Sequence, residues 1–312
     1  MLFRLFFLFM TLSLTLFTGC ATIQKNLNDL FIGIEKNRAD LKYQTVRVEG
    51  KKVSYLERKG EGESIVLLHG FSADKNNWLR FVRYLPKTYH VLAIDMPGHG
   101  DNVQDETQLY DPVSLSRSIG KMLDALEIEQ CHMAGNSLGG LVSKIYAARY
   151  PEKIITLGLF DSAGVTPPVP GEFVKGLEKG VNPFNVKTKK DYKNLKKWAF
   201  HNEPYIPCPV DAEVAKKQIK GNAFYQKMLK SLIEHESIRD PVFQEKILSR
   251  LSMPVLVIWG DKDRLLNVSS VEIYAQYIKD LETVIIKDCG HMPMLERPEE
   301  TAKYYTDFIL NN

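Results

Sequence analysis

The chain has little that would point to a metal protein, a nucleic-acid binder or a membrane-spanning bundle. It has only four cysteines among its 312 residues, at 20, 131, 208 and 289. None stands in a CxxC or Cys/His spacing, so no zinc site follows from them. A net charge of +3 is too small to argue for nucleic acid. No internal repeat or low-complexity tract appears. The N-terminal apolar run, from Leu5 to Phe17, falls short of the about 20 residues that a helix needs to cross a bilayer. What is present is the balance of a folded globular protein, 44% hydrophobic and 25% charged. The length suits one large α/β domain or two smaller ones.

Arg4 precedes the apolar run, and Thr18-Gly19-Cys20 follows it. That is the charged, greasy, small-residue layout of a secretory signal over residues 1–20. A Cys directly after Thr-Gly resembles the bacterial lipobox, which implies lipidation of Cys20. Phe17 departs from that motif, where Leu is usual. Ordinary cleavage nearby and an uncleaved signal anchor are the alternatives, and all three take the protein out of the cytoplasm. Ala21 rather than Asp follows the Cys; in a Gram-negative cell the resemblance then implies the outer membrane. In the spacer, residues 21–43, Leu27, Leu30, Phe31 and Ile34 recur at helical spacing. This predicts a helix that docks on the body or on a membrane surface.

Two alternating strands joined at Gly50 come next. Then follow continuous apolar runs, "SIVLLHG", "HVLAIDMPG", "CHMAGNS", "ITLGLFDSAG", "PVLVIWGDKD" and "ETVIIKDCGH", with helical stretches between most of them. Continuous runs suit parallel strands buried on both faces. Their alternation with helices predicts a doubly wound α/β fold. The pattern breaks at 165–243, where proline clusters that a central strand does not tolerate flank helical sequence. There Phe224, Tyr225, Met228, Leu229, Leu232 and Ile233 form one apolar stripe. The expected organisation is a core of residues 44–164 and 244–312 with a helical cap, 165–243, inserted into it.

"CHMAGNSLGGLVSKIYAARYP" places Gly135-Asn136-Ser137-Leu138-Gly139 between a strand and a helix read as amphipathic. This is the strand–turn–helix context of a G-x-S-x-G nucleophile elbow. Gly135 and Gly139 are expected where any side chain would clash, and Gly140 where the helix approaches the sheet. A serine hydroxyl needs a base to be a useful nucleophile. The chain order Ser, acid, His selects His291, in the loop after the last strand. Asp263, just past a central strand, is the leading acid, with Asp161 the alternative. Asp261 reads as turn, and Asp288 as merely near the histidine in sequence. His69 is expected to support its loop, and His90, His99, His132, His201 and His235 to have structural or solvent roles. Acyl transfer also needs donors for a tetrahedral oxyanion. The N–H groups of Leu138 and of Phe71, after Gly70, are the candidates. "DMPGHG", Asp95 to Gly100, reads as loop closure.

The phrases "LLHGFSADKNNW", "DMPGHG", "GNSLGG", "VIWGDKD" and "CGHMPMLERPEETAKY" resemble the α/β-hydrolase superfamily across nearly all of residues 44–312. Within it the chain is similar to monoacylglycerol lipases of the membrane-associated α/β-hydrolase-domain type and to family V bacterial lipases. The resemblance implies Ser137, Asp263 and His291 as a triad, Phe71 and Leu138 as oxyanion donors, a lipid-ester substrate, and neither cofactor nor metal. Asp101-Asn102 departs from it, because a Ser often follows the last glycine of "DMPGHG". Two other readings stand beside the lipolytic one. The first is a carbon–carbon bond hydrolase of ring-cleavage products, disfavoured by the export signal. The second is a non-catalytic surface lipoprotein, disfavoured because all three triad positions are filled.

Overall fold

The computed structural model describes residues 22–312. The signal-like segment and the lipidation proposed at Cys20 lie outside the described residues. The strands are β1 (Lys42–Val48), β2 (Lys51–Arg58), β3 (Ser64–Leu68), β4 (His90–Ile94), β5 (Cys131–Asn136), β6 (Ile154–Phe160), β7 (Val255–Gly260) and β8 (Leu281–Ile286). They form one sheet in the order β1-β2-β4-β3-β5-β6-β7-β8. β1 and β2 are an antiparallel hairpin turned at Glu49-Gly50, both with positive φ, as a tight two-residue turn requires. β2 pairs antiparallel with β4, and every later pair is parallel. The continuous apolar runs are buried as expected except in β8, where only Ile286 is buried and Ile285 is exposed, because β8 is the edge strand. β5 and β7 are buried along their whole length, which is the position of central strands covered on both faces.

The apolar core lies on both sides of the sheet. One cluster runs from Val66 and Leu92 through the helix Leu138–Arg149 to Trp259. The other gathers Trp78, Phe81, Phe160 and Tyr305, whose rings meet edge-on or tilted at centroid distances of 5.4 to 5.8 Å. The helix Leu138–Arg149 differs from the amphipathic element read in the sequence. Every residue from Leu138 to Ala148 is buried, Lys144 included. It is an internal helix, with the sheet beneath it and other elements over it.

β6 and β7 are sheet neighbours, yet the chain between them makes five helices and no strand. They are Glu172–Glu178, Lys189–Ala199, Cys208–Glu234, Glu236–Arg239 and Pro241–Leu248. The prolines that exclude a strand here act as helix starters. Pro209 and Pro241 stand in first turns, where the missing N–H costs nothing. On the long helix Cys208–Glu234, Tyr225, Met228, Leu229 and Leu232 of the predicted stripe are buried.

The "DMPGHG" segment does more than close a loop. Asp95 and Lys75 are both buried and ion-paired at 2.5 Å, and Lys75 also meets Asp101 at 2.7 Å. Asp95 additionally accepts from the N–H groups of Lys75 and Asp101 and from Ser54 Oγ. A Cβ on Gly100 would lie 2.2 Å from the Asp95 carboxyl, so the turn closes tightly over the charge. Asp101, the departure noted above, is thus the second counter-ion of a buried lysine. Removing one partner of a buried pair strands the other charge. Lys75→Met should therefore lower unfolding free energy by about 3–5 kcal/mol, read as a displaced urea midpoint; an unmoved midpoint would show the pair to be dispensable.

Candidate active site

Ser137 sits at φ 56°, ψ −116°, a strained conformation for a residue with a side chain. It persists because the backbone around it is unusually close. A Cβ on Gly135 would lie 2.3 Å from the Gly139 carbonyl group, and one on Gly139 would lie 2.2 Å from Leu68 O. Only bare glycines let β5, β3 and the helix start meet in this way. The turn is then pinned by hydrogen bonds. Ser137 N–H donates to Phe160 O at 3.0 Å, and Ser137 O accepts from Ala163 N and Leu141 N. Gly140 answers to two neighbours: a Cβ there would lie 2.5 Å from Ser162 Oγ, in the loop after β6, and 3.0 Å from Gly135 O of β5, the close approach of helix to sheet that was expected.

His291 follows β8 in a loop clamped from several sides. Its N–H donates to Ala199 O at 2.9 Å. Its carbonyl accepts from Asn136 Nδ2 at 2.9 Å, and the same amide group donates to Phe160 O at 3.1 Å. The residue before Ser137 therefore holds the histidine loop directly. Glu296, the acid of "ERP", accepts from the N–H groups of Gly290, His201 and Asn202, tying this loop to the helical insertion. His291 Nδ1 meets Asp263 Oδ2 at 2.7 Å, with the Asp263 side chain fully buried. Asp263 Oδ1 accepts from Leu265 N–H at 2.8 Å and Leu266 N–H at 3.0 Å. Asp263 is thus the acid beside His291. Asp161 lies immediately behind it, and one ligand atom each of Asp161, Asp263 and His291 lie within 4.8 Å of one another. Asp261 accepts from Cys289 N–H and pairs with Lys262, as a turn residue. Asp288 is exposed, at positive φ.

Ser137 and His291 line one cavity of about 1130 Å³ together with Gly70 and Phe71. Among the described residues no hydrogen bond joins their side chains. A Cβ on Gly70 would lie 3.3 Å from that of Ser137, so the loop after β3 runs against the elbow. The N–H groups of Phe71 and Leu138 find no acceptor among the described residues. The Phe71 ring is wedged between His99, Phe184 and Tyr225 at centroid distances of 6.0, 5.2 and 5.7 Å. From above, Gln218 Nε2 on the long helix donates to Ser72 O at 2.6 Å.

His69 supports this loop, as its position predicted. Nε2 accepts from Met96 N–H and Nδ1 faces Gly70 O at 2.7 Å. Burial drives its pKa down to about 4, and that of its neighbour His99 down to about 3. His90 bonds Ser64 and Glu57, and His132 bonds Thr156 and Glu63. His201 and His235 sit at helix ends in the insertion. Sequence reasoning missed Asn136, because position x of G-x-S-x-G carries no demand of its own. It also missed Lys144, whose Nζ contacts Ala163 O, Gly164 O and Tyr274 Oη at 2.7, 3.0 and 3.0 Å. Lys144 thereby fastens the loop that carries Asp161 and Ser162.

The profile of the alpha/beta hydrolase family matches residues 65–304. The chain belongs to that family. It is 30% identical to Lipase 1 of Psychrobacter immobilis over 286 residues, 91% of this chain and 89% of that protein. It is also 30% identical to the monoacylglycerol lipase ABHD6 of Mus musculus over 265 residues, covering 82% and 78%. Among solved structures, a membrane phospholipase A described as a bacterial virulence factor superposes with a TM-score of 0.90. It is 35% identical, with 99% of this chain and 98% of the other covered.

His69 and His99, the two histidines depressed furthest, give this alpha/beta hydrolase a defined acid sensitivity. In the unfolded chain each takes up a proton near pH 6.5, but in the folded chain only near pH 4 and 3. Between those values the unfolded state holds more protons. The stability due to neutral burial is therefore complete above about pH 6.5 and lost as pH falls, by at most about 1.4 kcal/mol per pH unit per histidine. Urea unfolding between pH 7 and pH 4.5 should show a shallower decline for His99→Gln than for the parent; equal slopes would contradict the assignment.

Proposed function

We propose that the protein is a lipolytic serine hydrolase that cleaves carboxylic esters of fatty acids through an acyl-enzyme on Ser137. One observation carries the reading: a serine in a strained turn opens into the same cavity as an imidazole whose far nitrogen is bound by a buried carboxylate. In the proposed step, His291 Nε2 takes the Ser137 proton as Oγ attacks the ester carbonyl. Asp263 holds the ring in the tautomer that leaves Nε2 free and stabilises the imidazolium formed. The N–H groups of Phe71 and Leu138 receive the oxyanion. Collapse expels the alcohol with the proton from His291. Water, activated by the same ring, then releases the fatty acid.

The names of the relatives, lipases and monoacylglycerol lipases, support the lipid-ester class. So does the cavity, which is larger than the roughly 300–1,000 Å³ of common ligand sites and includes Phe71, Phe184, Leu195, Ile206 and Tyr225 in its lining. In this reading residues 165–243 act as a cap on the core of 44–164 and 244–312, shaping the acyl pocket. The substrate is a small lipid, and the reading calls for no cofactor and no nucleic acid.

We also read the protein as exported and held at a membrane, with Cys20 as the lipidated residue. Among the described residues no helix is long and apolar enough to cross a bilayer. The helix of residues 22–38 nonetheless exposes Ile23, Leu27, Leu30 and Ile34 along one stripe, between 38% and 61% accessible. Phe31, Ile32 and, at the end of that stripe, Ile34 of the same helix line the cavity. An apolar face of this kind suits a helix resting on lipid.

A fluorophosphonate probe should label the native protein and leave Ser137→Ala unlabelled. His291→Ala should lose at least 10³-fold in turnover of p-nitrophenyl esters; near-normal turnover would remove His291 from the mechanism. Metabolic labelling with an alkyne fatty acid should mark the parent chain and not Cys20→Ala. Equal labelling of both would place the anchor elsewhere, and no labelling of either would reject lipidation.

A further inference from the structure

Asp161 is buried without the set of donors that an ionised carboxylate requires. Its Oδ1 accepts from Gly260 N–H at 3.0 Å. Its Oδ2 is buried and has no hydrogen-bond partner among the described residues. Asp263 lies beside Asp161, a carboxylate oxygen of each within 4.8 Å of the other, and has three donors: His291 Nδ1 and the amides of Leu265 and Leu266. Two carboxylates in contact inside a protein do not both stay ionised, and the better-solvated one keeps the charge. Here three donors against one decide which. Asp161 also sits at φ 43°, a conformation that Asp and Asn tolerate better than most residues. Lys144 and Tyr274 hold the loop in which it sits.

We infer that Asp161 is a positioning residue that keeps its proton at neutral pH and donates it in a hydrogen bond to Asp263, steadying the acid that orients His291. The inference rests on the proposed serine mechanism and deepens it. The titratable groups around Asp161 are Asp263, His291, Glu296 and Cys289. Burial raises the Asp161 pKa well above the usual carboxylate range, and the Asp263 charge raises it further. The hydrogen bond draws electron density from Asp263. During acylation the proton taken from Ser137 then stays on the imidazole instead of passing to the acid. A neutral Asp161 also adds no second negative charge behind His291.

The inference makes an unusual demand on the amide variant. Asp161→Asn keeps the acceptor for Gly260 and the donor for Asp263, so kcat/KM should stay within about threefold of the parent. The acid limb of its pH profile should not move. Asp161→Ala loses the donor, and its kcat should fall at least tenfold with KM little changed. Infrared spectra of the parent at pH 7 should contain a protonated-carboxyl band that Asp161→Asn lacks, and a chelator should leave ester hydrolysis intact. Three results would overturn the inference. One is an acid limb displaced downward by a pH unit or more in Asp161→Asn, the signature of a removed negative charge. The second is the absence of the infrared band, and the third is activity lost to chelation, which would put a divalent cation between the carboxylates. Failure of the serine mechanism itself would appear separately, as a parent protein that hydrolyses no ester.

Discussion

Where β5 turns into the helix that follows, three stretches of backbone come closer than any side chain would permit. A methyl group on Gly135 or Gly139 would stand little more than 2 Å from a neighbouring carbonyl group. That contact forces the chain through a left-handed residue, and the left-handed residue is Ser137. Everything else in the site is arranged around this point. The loop after β3 abuts it through Gly70, the loop after β6 bonds its carbonyl through Ala163, and the loop after β8 hangs from the neighbouring Asn136. The strain is local, and the buried sheet on which it rests is rigid.

The site is also braced by polar groups that have no direct part in the proposed chemistry. Lys75 and Asp95 fix the base of the loop that holds Phe71, and Lys144 fixes the loop that holds Asp161. Glu296 gathers the N–H groups of the histidine loop and of the helical insertion. Each of these groups is buried or partly buried, and each spends most of its hydrogen bonds on backbone or on a counter-ion. Such bracing holds the cavity wall to a narrow geometry while leaving Ser137 and the His291 ring facing the cavity.

Much of this was legible in the sequence because it follows from steric rules between near neighbours. The apolar runs had to be buried strands, and the glycines around Ser137 had to mark a close approach. His291 and Asp263, which the structure joins by a hydrogen bond, could be paired from the order serine, acid, histidine along the chain. What escaped notice depends on contacts between distant segments. Nothing local to Lys144 says that it is internal, since a lysine on a helix ordinarily faces water. Asn136 looks like filler until the His291 carbonyl is seen beside it. Asp101 looked like a departure from a family pattern until Lys75 was found to need it. In sequence Asp161 and Asp263 are rivals for one role, whereas the packing of β6 against β7 puts them side by side.

The account stands or falls on whether Ser137 carries the acyl group during turnover. Rapid acid quenching during hydrolysis of a slowly deacylating fatty-acid ester, followed by peptide mass analysis, tests this most directly. The account predicts one acyl group per molecule, on the peptide that contains Ser137, formed and lost at rates consistent with turnover. Steady hydrolysis with no adduct, or with the acyl group on another residue, would contradict it.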